Sequence, residues 1–218
     1  MIRLFAGWDH REAIGFAVFC HSVLRRSTQP VEFIPLASMG LPEGSNSFTV
    51  SRFLVPYLCG FKGHAIFCDA SDMLMLADIS ELDSLFNPEY AVQVVKRPDY
   101  KTRHRTKYRG TSMECPNSDY SRKNWASVSI INCEHPAWAG VGPVILPETS
   151  PVHWLQYGFL EAHEIGSLPP EWNCLVDEGQ DSGKLLHWTA GIPAFAAYKD
   201  APYADLWHTE RRHLETVG

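Results

Sequence analysis

One stretch limits the fold more than any other. Ala65-Ile66-Phe67-Cys68 is unbroken apolar sequence that stops abruptly at Asp69-Ala70-Ser71-Asp72. A strand that is apolar on both of its alternating faces is buried on both, as in parallel sheets covered by helices. Its surroundings agree. Ile2–Gly7, Val31–Leu36, Tyr90–Val95, Ala126–Asn132 and Lys184–Trp188 read as further strands. Between them, Ile14, Ala17, Val18, His21 and Leu24 fall at helical spacing, with Asp9 and Glu12 as a capping box ahead of them. Phe48–Leu58, Ser80–Phe86, Pro151–Phe159 and Tyr203–Thr216 also read as helical. This alternation predicts an α/β domain with a mostly parallel central sheet and helices on both faces. The chain has 218 residues, which suits a single domain over 1–218. Arg97–Tyr120 stands apart: it is rich in Lys and Arg, poor in apolar residues, and reads as a long exposed, mobile loop.

Charge narrows the partners. Nineteen Lys and Arg face 25 Asp and Glu, a formal net charge of −6. That balance argues against a life on nucleic acid or anionic lipid. A phosphate-bearing ligand would have to be held locally, by a metal or a few aimed groups. None of the six cysteines forms a C-x-x-C pair, and most sit in apolar stretches. They read as buried free thiols of a reducing compartment. The opening MIRLFAGWDHRE meets acid at Asp9 and Glu12 and does not read as a signal peptide. With no run of about 18 apolar residues, no transmembrane segment is expected, and the expected location is cytoplasmic.

Three groups of residues could carry chemistry. Asp69 and Asp72 follow a buried strand, where ligands of open α/β sheets sit. Two carboxylates there make a hard-oxygen site for Mg²⁺ or Mn²⁺, although one Asp could simply end the strand and the other cap the next turn. His187 ends a later strand ahead of the small-residue loop Thr189-Ala190-Gly191. A neutral imidazole could complete a two-carboxylate site, or the histidine could be structural. Lys123, Asn124 and Trp125 could offer a charge, an amide and a stacking face to a sugar, or form a basic surface turn.

Taken in order, these pieces resemble the GT-A glycosyltransferases, which are Rossmann-like, and in particular glycosyltransferase family eight and its bacterial and phage relatives. The likeness runs through Gly7-Trp8-Asp9, Phe48–Leu58, Gly63–Leu82, Arg122–Trp125, Ile131-Asn132-Cys133, Leu168–Asn173 and the His187 loop. The resemblance implies transfer of a sugar from a nucleotide diphosphate sugar, a UDP-sugar, to a hydroxyl of a glycan or other acceptor. The outcome would be retaining and the reaction metal-dependent. It implies Asp69, Asp72 and His187 as ligands of Mn²⁺ or Mg²⁺. Asp9 would meet the base or ribose, Arg52 the diphosphate or donor sugar, and Gly191 the diphosphate. Lys123, Asn124 and Trp125 would border the donor. Asn132 and Gln156 would lie near the donor sugar, Gln156 on the face where retaining members carry an amide or carboxylate.

The chain departs from the family pattern in three places. Two residues, not one, separate the aspartates, so either Asp72 reaches the second ligand position through a bulge or Ser71 takes it. The lysine that usually follows the histidine loop is missing from Ile192-Pro193-Ala194, leaving Lys123 or a basic residue of Arg97–Arg109 to replace it. Trp125 stands where relatives have asparagine. The widened spacing and the missing lysine keep open a non-catalytic sugar-nucleotide or glycan-binding module, and acidic residues at a strand end leave, more distantly, a metal-dependent phosphohydrolase.

Overall fold

The computed structural model describes residues 1–216. A six-stranded sheet is built from β1 (Ile2–Gly7), β2 (Val31–Leu36), β3 (His64–Cys68), β5 (Val92–Val94), β8 (Val128–Asn132) and β9 (Ile165–Ser167), in the order β2-β1-β3-β8-β5-β9. β1 pairs in parallel with β2 and β3, and β5 with β9. β8 alone is reversed, antiparallel to both β3 and β5. A second sheet joins β4 (Met73–Met75), β10 (Cys174–Leu175) and β11 (Leu185–His187) in the order β10-β11-β4. Thr106–Lys107 (β6) and Cys115–Pro116 (β7) form a two-stranded ribbon.

The apolar run of β3 is explained by two cores. Ala65 and Phe67 face one of them, with Phe5, Val55, Ile131 and Trp154. Ile66 and Cys68 face the other, with Leu4, Ala6, Phe19, Ile79 and Ile130. Helices α2 (Val55–Leu58) and α4 (Pro151–Leu155) supply side chains to the first, and α1 (Ala13–Leu24) and α3 (Ile79–Asp83) to the second. A third cluster packs Val18 of α1 and Trp207 of α5 (Ala204–Thr216) against Leu74 and Leu186 of the smaller sheet and Trp188 just after it. Helices therefore cover both faces. All six cysteines are free thiols. No helix among the described residues is long and apolar enough to cross a membrane.

Some elements are shorter than their sequence suggests. Phe48–Leu58 is not one helix but a 3-10 turn, Ser51–Leu54, leading into α2, where Pro56 occupies the first turn. The helix expected over Pro151–Phe159 stops at Leu155, and Tyr157 takes a left-handed φ of 51°. Arg97–Tyr120 holds no helix but packs down through the β6–β7 ribbon and the fully buried Tyr108, whose backbone N–H donates to Ala190 O at 2.6 Å. The capping box does not form. Asp9 caps a 3-10 turn, His10–Glu12, by accepting from Arg11 N, whereas Glu12 is buried with Oε1 unpartnered.

Candidate functional site

The centre of the site is a turn. At the end of β3, Asp69 N–H donates to Ser127 O, and Ala70 adopts φ +69°, an uncommon conformation for a residue with a Cβ. Ser71 N then bonds back to Asp69 O at 2.9 Å and Met73 N to Ala70 O at 2.9 Å. This turn absorbs the extra residue between the aspartates. A bare helix backbone supports it: a Cβ on Gly15 of α1 would lie 2.1 Å from Ser71 O, so only glycine lets α1 pack this close.

β4 follows directly and fixes the third partner. Its antiparallel register with β11 sets Met73 opposite His187, and Trp188 N–H donates to Asp72 O at 2.9 Å. His187 thereby meets Asp72, with Nε2 to Oδ2 at 3.3 Å. One ligand atom from each of Asp69, Asp72 and His187 lies within 4.8 Å of the others. The turn thus brings Asp72 to the position that its spacing left in question.

Each member is oriented from behind. Asp69 Oδ1 receives Arg52 Nη1 at 2.6 Å, and both side chains are nearly buried. Arg52 is itself clamped by bonds to Thr49 O and Ala126 O and lies against the rings of Phe48 and Phe67, 5.3 and 4.9 Å from their centroids. Its placement makes it the counter-ion of Asp69 first. His187 Nδ1 meets Asn173 Oδ1 at 2.8 Å, and Asn173 Nδ2 donates to Asn124 O at 3.2 Å. The amide oxygen therefore faces the imidazole, so Nδ1 carries a hydrogen and Nε2 is the nitrogen turned to the carboxylates. Arg97 Nη2 in turn donates to Asn173 O.

The charges follow. Burial lifts the Asp69 carboxyl above its ordinary value, against the pull of Arg52 and with the repulsion of Asp72. Asp72 is held down in spite of burial by His187 and Lys107. His187 is raised, because Asp72, Asp69 and Asp177 outweigh its burial. Glu12 adds a fourth acid, pushed up to about 8 by burial and by the neighbouring Asp72. Buried polar atoms without partners gather here: Glu12 Oε1, Asp72 Oδ1 and Tyr108 OH. A buried carboxylate oxygen left bare costs free energy unless a cation meets it. Two carboxylates and an imidazole are a donor set that suits Mn²⁺ or Mg²⁺, so the residues present fit a divalent ion.

Other expected residues are placed differently. Asp9 is buried and fully engaged: Oδ1 accepts from Arg11 N and Nε, Oδ2 from Arg11 Nη2 and Ser47 N. Against burial, these bonds hold its pKa down to about 2. It is a joint between the end of β1 and the Ser47 loop, with no acceptor capacity left over for a ribose. Asn132 is not at the site. Because β8 is reversed, Val128 pairs with Cys68 beside Asp69, whereas Asn132 pairs with His64 at the far end and donates to Pro88 O at 3.0 Å. Gly191 is buried, and a Cβ there would strike the Tyr198 ring at 2.5 Å, so its smallness serves that packing. Gln156 caps α4 directly after Leu155, which lines the cavity at Asp69. Lys123 is tied to Asn117 Oδ1 at 2.6 Å and Ser118 O at 2.7 Å. Asn124 lies beside Asp69 with φ +64° and Nδ2 unpartnered, and Trp125 faces the neighbouring cleft.

Residues not singled out from sequence complete the picture. Lys107, on β6, lines the Asp69 cavity with Arg52, Tyr120 and Asn124. Asp177 holds the small-residue loop by accepting from Ala190 N at 2.8 Å, and Glu178 ties the basic segment through Thr102 Oγ1 and Arg103 N. The cavity is about 60 Å³.

No family model matches the chain. Among solved structures it is similar to the bifunctional glycosyltransferase WbbM (TM-score 0.64, 13% identity, 96% of this chain and 49% of that one). It is also similar to the glycosyltransferase GlyE of Streptococcus pneumoniae TIGR4 (TM-score 0.60, 13% identity, 96% and 60%). The galactosyltransferase LgtC, solved with donor and acceptor sugar analogues, gives TM-score 0.62 at 12% identity over 97% of this chain and 96% of that one. The chain thus spans about half of WbbM and nearly all of LgtC, and its α/β fold is the GT-A fold of these enzymes. In sequence it is 36% identical over 226 residues to Protein CDI of Arabidopsis thaliana, covering 95% of this chain and 85% of that protein, and it therefore belongs to the family of Protein CDI.

Proposed function

We propose that the chain is a metal-dependent glycosyltransferase that moves a sugar from a nucleotide diphosphate sugar, a UDP-sugar, to an acceptor hydroxyl. One observation carries the reading: Asp69, Asp72 and His187 converge at the carboxyl end of β3, with a bare carboxylate oxygen, on a glycosyltransferase fold. Bound there, a divalent ion would neutralise charge on the leaving diphosphate.

The protein groups divide the remaining work. Asn173 fixes which imidazole nitrogen faces the carboxylates, and Arg52 fixes Asp69. Lys107 is the cation that stands in for the lysine missing after the histidine loop. In the reaction the acceptor oxygen bonds to the anomeric carbon, the bond from that carbon to the diphosphate oxygen breaks, and its electron pair leaves with the diphosphate. The acceptor proton passes to that oxygen. Retention follows from attack on the face of departure, beside Gln156. The segment carrying Lys107 and Tyr120 borders the Asp69 cavity and would close over a bound nucleotide sugar, excluding water.

A release assay tests the reading: nucleoside diphosphate is measured across UDP-sugars and other donors, with and without Mn²⁺ and candidate acceptors. Mn²⁺-dependent release is expected. Tight donor binding with no turnover under any pairing would instead make the chain a sugar-nucleotide-binding module.

A further inference from the structure

Next to the Asp69 cavity lies a larger cleft of about 520 Å³, in the size range of small-molecule sites. Tyr120 lines both spaces. The cleft wall carries Arg97, Lys101, Arg122 and Lys123, and Asp99 is its one carboxylate. Among the described residues, none of these four cations takes part in an ion pair. Their hydrogen bonds go to neutral oxygens instead: Arg97 to Asn173 O, Arg122 to Gln156 O at 2.9 Å, and Lys123 to Asn117 Oδ1 and Ser118 O.

Such an arrangement is costly without an anion. Burial holds Arg97 below its ordinary pKa, and burial together with Lys107 brings Lys123 down to about 8. Arg97 Nε and Trp125 Nε1 are buried donors with no partner. The Arg122 guanidinium lies over the Trp125 ring, 5.3 Å from its centroid, so the charge is held in place rather than free to swing into solvent. In a chain of net charge −6 this is a local and deliberate excess of positive charge.

We propose that this cleft binds an anionic acceptor, a hydroxyl-bearing sugar or similar molecule that carries a carboxylate or a phosphate. The assignment rests on the glycosyltransferase reading and adds the class of acceptor to it. The cations take the anionic group, and Tyr120, which lines both spaces, sets the molecule beside the Asp69 cavity, where the donor reacts. Uronic acids and sugar phosphates share this chemistry.

Titration of the full chain with glucuronate, glucose 1-phosphate and glucose, without nucleotide or metal and followed by NMR, tests it. Binding of one or both anions is expected, with glucose weaker by about tenfold or more. The stronger anion tells carboxylate from phosphate. Lys101→Glu, on an exposed side chain, is expected to weaken the anion by about tenfold and to leave UDP–Mn²⁺ affinity unchanged. Arg122→Gln should weaken the anion further. Equal binding of glucose, an anion affinity indifferent to both substitutions, or displacement of the anion by UDP–Mn²⁺ in strict competition would each overturn the acceptor assignment alone. Failure of UDP to bind the unsubstituted chain with Mn²⁺ would instead defeat the glycosyltransferase reading and this role with it.

Discussion

Replacing Asn173 by leucine isolates what holds His187 in its working orientation. The substitution keeps the volume but removes the acceptor 2.8 Å from His187 Nδ1 and the donor 3.2 Å from Asn124 O. Both bonds belong to a side chain that is fully buried. Leaving two buried polar groups unpartnered costs roughly 1–3 kcal/mol each, so the metal-free protein should lose about 2–6 kcal/mol. Against a domain stability of about 5–15 kcal/mol, the variant still folds at low temperature. Metal affinity suffers separately. Loss of an outer hydrogen bond to a ligating histidine lowers it by about 10–100-fold. Asn173→Asp retains the acceptor and should recover most of the affinity. Calorimetric titration with Mn²⁺ at pH 7.5, beside thermal melts with and without the ion, separates the two effects. A folded Asn173→Leu variant that binds Mn²⁺ as tightly as the parent would refute the reasoning.

Further outcomes are expected elsewhere. His187 is raised above its ordinary value of 6.5 by Asp72 and its neighbours in spite of burial. Its charged form therefore contributes stability in full below about pH 6.5, and that contribution fades as pH rises through the raised value. Metal-free melting should fall over that range, and Mn²⁺, which displaces the proton, should raise the melting temperature more at pH 8 than at pH 6. Lys107→Ala should weaken UDP binding by about tenfold while leaving Mn²⁺ binding intact, as read by calorimetry. Glu210 ties α5 to His21 of α1 and to Arg26 just past its end and, against its own burial, is held below its ordinary pKa by them. Glu210→Gln should cost roughly 2 kcal/mol at pH 7, and the deficit should shrink as pH falls below 4.5, where the carboxylate of the unfolded parent begins to protonate, and be lost below the lowered folded value. A deficit that does not change with pH would show that the charge is not what matters there.

How far the sequence could be read depended on what kind of information each feature needed. β3 was legible because its alternating residues feed two separate cores, which demands unbroken apolar sequence. The acid turn was legible by residue type, but its geometry was not: whether Asp72 or Ser71 joins Asp69 depends on the left-handed Ala70 and on Gly15 of α1, a contact distant in sequence. Asn132 misled because a single strand carries no mark of its direction. Reversing β8 carries its last residue to the opposite end of the sheet. Glu12 satisfied a capping pattern that depends on spacing alone, yet the side chain turns inward to the acids. Asp9 was placed correctly at the end of β1, but Arg11 and Ser47 consume its oxygens. Asn173 gave no signal of its own, and Lys107 gave one only as one of the basic residues of Arg97–Arg109. A polar residue ahead of a strand and one lysine among many basic neighbours look ordinary until the fold sets them beside His187 and Asp69.

The central claim is that Asp69 and Asp72, with His187, hold a divalent ion on which a nucleotide diphosphate depends. Calorimetric titration of UDP into the parent chain, Asp69→Asn and Asp72→Asn, each with and without Mn²⁺, tests it most directly. The account predicts Mn²⁺-dependent binding in the parent and its loss in both folded variants. Binding of UDP that is equally tight in all three proteins, or indifferent to Mn²⁺, would contradict it.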